Sequence, residues 1–162
     1  MGLGAGITTI IHAVLAVLLL IELGLTGYVV GQFTSVYWGI SPSSFGFMLF
    51  NSIWSILVLV YLALTPRFVE KLYHSIIALA LLGVTTLFWF AGSIAMAAFI
   101  GVPGACPYAF CTALRTAQAA VAFGFFIWII FSVLTAFEGM TFLRGGARAD
   151  TTNKPGQPAA AA

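Results

Sequence analysis

Residues 115–138, RTAQAAVAFGFFIWIIFSVLTAFE, contain no charged side chain between Arg115 and Glu138. An α-helix needs about 20 apolar residues to cross a hydrocarbon core of roughly 30 Å, so this stretch predicts a transmembrane helix. Its first half consists mainly of small residues, whereas its second half is rich in Phe, Ile and Trp. Since small residues permit close approach between membrane helices, we expect the helix, over about 116–137, to pack tightly near its start and more loosely near its end.

The composition of the whole chain indicates the same environment. Of its 162 residues, 62% are hydrophobic and 6% are charged, whereas soluble domains carry about 25% charged residues. Further apolar runs predict helices over about 7–33, 45–64 and 75–100. The predicted fold class is therefore all-α: a polytopic membrane protein whose residues 1–143 form a four-transmembrane-helix bundle. Residues 144–162 are polar and of low complexity, which predicts a disordered cytoplasmic tail.

The basic residues are unequally distributed between the two ends of the predicted helices. Arg115 stands alone on one side, and the other Lys and Arg residues all fall on the opposite side: Arg67, Lys71, Arg144, Arg148 and Lys154. The positive-inside rule places this second side in the cytoplasm, together with both termini. A net charge of +2 without a Lys/Arg run predicts no nucleic-acid partner.

The two cysteines, Cys106 and Cys111, both lie in the third loop, which this topology exposes to an oxidising compartment. Their spacing in a Pro/Gly-rich segment permits the Cα separation that a disulfide requires. We predict a disulfide that closes this loop. The alternative, a thiol oxidoreductase, needs a second redox pair to pass electrons onward, and the chain has no other cysteine.

Glu22 is the strongest candidate for a buried polar site, because it is a charged residue type inside the first predicted span. An isolated carboxylate in lipid is costly, so Glu22 should face the bundle and form hydrogen bonds there. Polar residues at a similar depth are predicted to form an intramembrane polar cluster with it: Asn51, Ser52, Ser93 and Gln118. Gln118 is the favoured partner. A packing role is the preferred interpretation, and a proton or cation relay is the alternative.

Small residues four positions apart predict grooves where a neighbouring helix backbone can lie. The residues of these predicted packing faces are Gly27 and Gly31 in the first span, and Ala113, Ala117, Ala120 and Gly124 at the fourth. We expect Leu at Gly31 or Gly124 to disrupt folding, whereas Leu at Phe126 or Ile130 should be tolerated.

Motifs for catalysis or cofactor binding do not occur: there is no P-loop, dinucleotide fingerprint, GxSxG or zinc motif. His12 and His74 have no second ligand at a useful spacing, so neither a metal nor a cofactor is expected. The sequence therefore predicts a protein that is not an enzyme. The aromatic runs 88–90 and 125–131 suit either plain lipid contact or stacking on a sterol or sphingolipid.

The segment from Arg115 to Phe123, RTAQAAVAF, resembles the opening of the last membrane helix in the fungal MARVEL-domain family, whose members include the non-classical export proteins. Helix number, loop pattern and size also agree with that family. The resemblance implies a non-enzymatic membrane organiser with cytoplasmic termini, in plasma-membrane microdomains linked to eisosomes and in secretory-pathway membranes.

The partners expected from this resemblance are membrane lipids such as a sterol or sphingolipid, together with further copies of the chain in a homo-oligomer or a larger membrane protein. The alternative function is a small channel or transporter, or an accessory subunit of a membrane transport complex. That alternative depends on Glu22 and its polar neighbours.

Overall fold

The computed structural model describes residues 5–36, 42–68, 75–101 and 111–152, with side chains over most of these ranges. They form four α-helices, and each contains a segment long and apolar enough to cross a membrane. The helices are α1 (Ala5–Val36), α2 (Ser43–Phe68), α3 (Ser75–Ile100) and α4 (Cys111–Thr152). The all-α, four-helix membrane fold expected from the sequence is confirmed.

Two helix ends show how glycine and proline act in this chain. The helix predicted over 75–100 has the observed bounds of α3, and it stops because Gly101 adopts a φ of 68° while its N–H donates to the Ala97 carbonyl at 3.1 Å. By contrast, α2 continues through Pro66 to Phe68, beyond the predicted end at 64. Pro66 removes one helical hydrogen bond, and only two residues of α2 follow it.

Helix α4 is longer at both ends than its predicted range of 116–137. It begins at Cys111 and continues to Thr152, so residues 144–152 are helical where the sequence predicted a disordered tail. The first proline after Glu138 is Pro155, and no earlier residue blocks helical hydrogen bonding. At about 1.5 Å per residue the 42 residues of α4 span about 63 Å, well beyond a hydrocarbon core of roughly 30 Å.

The four helices form an antiparallel ring in which each contacts the next. Within the described residues, backbone contacts join α1 to α2, α2 to α3, α3 to α4 and α4 to α1, whereas the backbones of the diagonal pairs do not approach each other as closely. We call the end where α2 begins and α3 ends the outer end. Here Phe45 of α2 packs against Phe33 of α1 and Phe99 of α3, with ring centroids 5.0 and 5.3 Å apart.

The inward face of each helix repeats every seven residues. A seven-residue repeat keeps a seam facing its neighbours when helices supercoil with a left-handed twist. The buried positions that follow it are Leu15, Leu19, Glu22, Thr26, Val29 and Phe33 in α1; Phe45, Met48, Ser52, Ser55, Leu59 and Leu62 in α2; Ala78, Leu82, Thr85, Trp89, Gly92 and Met96 in α3; and Ala113, Ala117, Ala120, Gly124, Ile127, Phe131 and Leu134 in α4.

The outward faces carry large apolar side chains. Examples from the four helices are Ile10, Leu57, Leu87 and Phe126, which are 64%, 61%, 66% and 58% exposed. A surface this apolar on all four helices suits hydrocarbon rather than water. The bundle therefore buries its polar side chains together with apolar ones and also presents bulky apolar side chains outward, so that hydrophobicity alone does not mark its core.

Candidate functional site: a polar core within the bundle

Fully buried polar side chains occur on α1, α2 and α3. We call them the polar core, and its members are Glu22, Thr26, Asn51, Ser52, Ser55, Thr85 and Ser93. Because lipid provides no hydrogen-bond partners, each of these groups must find one inside the protein or in a bound molecule. They divide into a bonded group and an unbonded group.

Tryptophan side chains satisfy the bonded group between α2 and α3. The Trp89 Nε1–H donates to the Ser55 Oγ at 2.8 Å, and the Trp54 Nε1–H donates to the Thr85 Oγ1 at 3.1 Å. These pairs were not predicted from the sequence. The burial of Trp89 could have been inferred, because it lies four residues before Ser93, which was predicted to be buried, and therefore on the same helix face.

Two further polar side chains bond to their own helix. The Thr26 Oγ1–H donates to the Glu22 carbonyl at 2.7 Å, and the Ser52 Oγ–H donates to the Met48 carbonyl at 3.0 Å. Such bonds to the preceding turn allow Ser and Thr to be buried in a membrane helix at little cost. Ser52 was predicted to join a cluster with Glu22, but its hydroxyl has this local partner.

The unbonded group consists of Glu22, Asn51 and Ser93. Both carboxyl oxygens of Glu22, both amide atoms of Asn51 and the Ser93 Oγ are buried without a hydrogen-bond partner in the part of the chain that the structure describes. These residues come from three different helices. An unbonded buried polar atom costs roughly 1–3 kcal/mol, and five such atoms on three helices call for a physical explanation.

Gln118 does not form the hydrogen bond to Glu22 that the sequence analysis favoured, since both Glu22 oxygens lack a partner. The helix register gives the reason. Gly124 of α4 lies against Ser93, and Gln118 lies about 9 Å farther toward the outer end. On α1, Gly27 lies against Leu49, which places Glu22 on the inner side of the Ser93 level. Gln118 is only half-buried and too far out to reach it.

The small residues of α4 do form a close-packed face. Ala117 and Ala120 are fully buried and Ala113 nearly so. A Cβ atom at Gly124 would lie 2.6 Å from the Ser93 Oγ and 3.2 Å from the Met48 Cε. Gly124 is therefore a point of contact between α4, α3 and α2.

The GxxxG pattern of α1 is not such a face, and the prediction for Gly31 is wrong. A Cβ at Gly31 would meet no atom within 4 Å, and at Gly27 it would meet only the Leu49 Cδ1, at 4.0 Å. The close contact that the sequence analysis missed is at Gly92, where a Cβ would lie 2.6 Å from the Met48 Sδ. Gly92 lies seven residues after Thr85, and so the repeat of α3 could have identified it.

The second half of α4 is packed as closely as the first, which contradicts the expected loose half. Ile127 and Phe131 are fully buried, whereas Phe126 and Ile129 in the same turns are 58% and 49% exposed. Packed and lipid-facing residues therefore lie on different sides of α4 and not in different halves of its length.

The aromatic run 88–90 links three helices. Trp89 is buried, Phe88 packs against Phe47 of α2 with ring centroids 5.6 Å apart, and Phe90 packs against Trp128 of α4 at 5.2 Å. Phe90 nevertheless remains 43% exposed, so part of this aromatic surface faces outward. Its contact with a sterol or a sphingolipid stays a prediction.

The described residues contain no group of three or more His, Cys, Asp and Glu side chains that could hold a metal ion. His12 lies half-buried in α1, and His74 and Cys106 fall outside the described residues. Cys111 is the first residue of α4. The predicted disulfide between Cys106 and Cys111 therefore remains a prediction.

Comparison with known protein families gives a match over most of the chain. The family model MARVEL, described as a membrane-associating domain, matches residues 5–137, which include all of α1, α2 and α3 and most of α4. No curated protein and no solved structure matches the chain.

Proposed function

The chain belongs to the MARVEL family of membrane-associating domains, and we propose that it is a non-enzymatic organiser of the membrane that associates laterally with lipids and with further protein chains. Family membership establishes a multi-pass, membrane-associated protein. The lateral association, its lipid specificity and its plasma-membrane location are our proposal.

The observation that carries the proposal is the division of the bundle into a polar core and an apolar exterior. The described polar side chains that are fully buried lie on the inward faces, while large apolar side chains cover the outward faces. All direct interactions available to these outward faces are with lipid tails or with another membrane helix. Lateral association is the activity that such a surface supports.

We infer that the lipid partner is a sterol or a sphingolipid, and that the protein partner is a second copy or a larger membrane protein. The exposed surface offers flat places for a rigid ring system, because a Cβ atom added at Gly24 or Gly31 on α1 would meet no atom within 4 Å. Ala91, Ala95 and Ala98 form a similar small-residue surface on the exposed side of α3. Small residues in an apolar face permit close contact with either a sterol ring or another helix.

Energy transfer between labelled copies in vesicles tests this function. Donor-labelled and acceptor-labelled protein would be reconstituted at low protein density in phosphatidylcholine vesicles, with and without added sterol and sphingomyelin. We expect transfer above the value for randomly distributed copies, and a further rise when sterol and sphingomyelin are present. Transfer equal to the random value in every lipid mixture would contradict lateral self-association, and co-purification in mild detergent would then decide whether a larger partner takes its place.

Variants on opposite faces make the experiment specific. Leu87→Ala and Ile94→Ala remove exposed side chains from α3, whereas Ile10→Ala and Val17→Ala remove exposed side chains from α1. None of the four is buried, so folding should be little changed. If one helix face mediates association, only its pair of substitutions should lower the transfer.

The proposal also includes the topology and the loop disulfide. Both termini lie in the cytoplasm, in agreement with the distribution of Lys and Arg. A disulfide between Cys106 and Cys111 closes the loop above α4, and it is supported by the absence of a free cysteine from the described residues. The proposed location is the plasma membrane, in microdomains of the eisosome type, with passage through secretory-pathway membranes.

A second candidate function is a small channel or transporter, or an accessory subunit of one. The specific observation in its favour is the unbonded group of Glu22, Asn51 and Ser93 inside the membrane. Proteoliposomes that contain the purified protein and an ion-sensitive dye would test it. Ion flux above that of empty vesicles, abolished by Glu22→Gln, would favour transport over organisation.

A further inference from the structure

Glu22 lies near the middle of the membrane-spanning part of the bundle. A Cβ atom at Gly27 would lie 4.0 Å from the Leu49 Cδ1, and this contact sets the register of α1 against α2. Because these two helices are antiparallel, Glu22, five residues inward from Gly27, is level with Trp54 of α2. Trp54 is at the centre of the apolar segment Ser43–Leu64, about 16 Å from either end.

The described residues place no positive charge near this level. Helix α1 packs against α2 and α4. The titratable side chains in the described parts of these three helices, apart from Glu22, are His12 and Tyr28 in α1; Tyr61 and Arg67 in α2; and Cys111, Arg115, Glu138, Arg144, Arg148 and Asp150 in α4. The basic residues among them lie toward the helix ends, about 15 Å or more from Glu22 along the bundle axis.

The surroundings of the Glu22 carboxyl group favour its uncharged form. The side chain is 0% exposed, and both of its carboxyl oxygens lack a hydrogen-bond partner among the described residues. A carboxylate that is buried without a countercharge or a donor costs far more free energy than a neutral carboxylic acid in the same place. Neutral polar groups are tolerated at nearby positions, since the buried Thr26 and Ser52 hydroxyls donate to carbonyls of their own helices.

We propose that Glu22 is a neutral carboxylic acid in the folded bundle, and that loss of its proton is coupled to separation of α1 from its neighbours. When α1 separates, the carboxyl group reaches water, where a glutamate is ionised at neutral pH. Closing the bundle therefore takes up one proton, and the stability of the closed form falls as the pH rises. Glu22 makes the packing of α1 dependent on protons. This inference is independent of the proposed lateral association.

Infrared spectroscopy of the purified protein in detergent tests the protonation state directly. A protonated carboxyl group has a C=O stretching band that is separate from the bands of a carboxylate. At neutral pH, where carboxyl groups in water are ionised, we expect this band in the original protein and not in Glu22→Gln. Glu138→Gln is the matched control and should keep the band, because Glu138 is only half-buried and lies toward the inner end of α4.

The pH dependence of unfolding tests the coupling. The equilibrium constant for unfolding would be measured in mixed micelles with sodium dodecyl sulfate, from mildly acidic to neutral pH. One proton taken up on folding raises this constant by up to about tenfold for each pH unit. We expect this rise in the original protein and in Glu138→Gln. Glu22→Gln should lack it, and His12, which is present in all three proteins, cancels in the comparison.

Three results would overturn the proposal. The first is the absence of the protonated-acid band from the original protein at neutral pH, and the second is an equal pH dependence of unfolding in the original protein and Glu22→Gln. The third applies even if Glu22→Gln does not fold: the band of the original protein must disappear on unfolding at the same pH, and a band that persists belongs to another group. Energy transfer between copies tests lateral association separately, so the two can fail independently.

Discussion

Replacing Gly124 by Ala tests whether α4, α3 and α2 meet as closely as the structure shows. The added methyl group would lie 2.6 Å from the Ser93 Oγ and 3.2 Å from the Met48 Cε. Ordinary contacts between such atoms are about 3.5–4.0 Å, so at least one neighbour must move by close to 1 Å. Overpacking of this kind costs typically 1–3 kcal/mol.

Two effects reduce this cost. Ala is favoured over Gly in a helix by about 1 kcal/mol, and the Met48 methyl group is the flexible end of its side chain. We therefore expect Gly124→Ala to lower the free energy of unfolding by about 0–2 kcal/mol. Gly31→Ala gains the same helix preference and meets no atom within 4 Å, so it should raise this free energy by up to about 1 kcal/mol.

The measured quantity is the difference between these two variants. Unfolding in mixed micelles with a rising fraction of sodium dodecyl sulfate would be followed by tryptophan fluorescence, with Gly24→Ala as a second open-site control. Gly31→Ala should exceed Gly124→Ala in stability by about 1–3 kcal/mol. Equal stability of the two variants, or a more stable Gly124→Ala, would refute the close approach of the three helices at Gly124.

Three further predictions concern other parts of the chain. Phe131→Ala should destabilise the fold by about 3–5 kcal/mol, while Phe126→Ala should change it little, because the first side chain is fully buried and the second is 58% exposed; similar losses in both would contradict the assigned inward face. Protease added to sealed, right-side-out vesicles should leave a C-terminal tag intact, and loss of the tag without detergent would reverse the topology. Cys106 and Cys111 should resist thiol labelling until a reductant is added, and free thiols in fresh membranes would rule out the disulfide.

The number and approximate position of the helices could be predicted from the sequence because the membrane imposes a minimum length on each apolar run. The helix ends were less predictable. Gly101 ends α3 through a left-handed backbone conformation, but Pro66 does not end α2. Glycine and proline both disfavour helix as residue types. Whether either one ends a helix depends on whether the following residues still form helical hydrogen bonds.

The inward faces were partly predictable. Hydrophobicity does not distinguish them, since lipid-facing and buried residues are both apolar, but polar and small residues do mark the core. Glu22, Asn51 and Ser93 were all identified from the sequence and are all fully buried. The partner of Glu22 was not predictable from depth alone, because the register between antiparallel helices decides which side chains meet. A shift of six residues, about 9 Å, separates Gln118 from the level of Ser93.

The failure of the GxxxG prediction has a related cause. A spacing of four places Gly27 and Gly31 on nearly the same face of α1, but it does not say whether a neighbour occupies that face. The seven-residue repeat does show which face a neighbour occupies. In α1 it continues through Leu15, Glu22 and Val29 and does not include Gly31. In α4 the same repeat runs through Gly124, where α3 and α2 approach. A small residue in a membrane helix therefore indicates packing within the bundle when it falls on the repeat of the polar core. Off that repeat, as at Gly31, it leaves a shallow surface toward lipid or a second protein, which is the surface that lateral association requires.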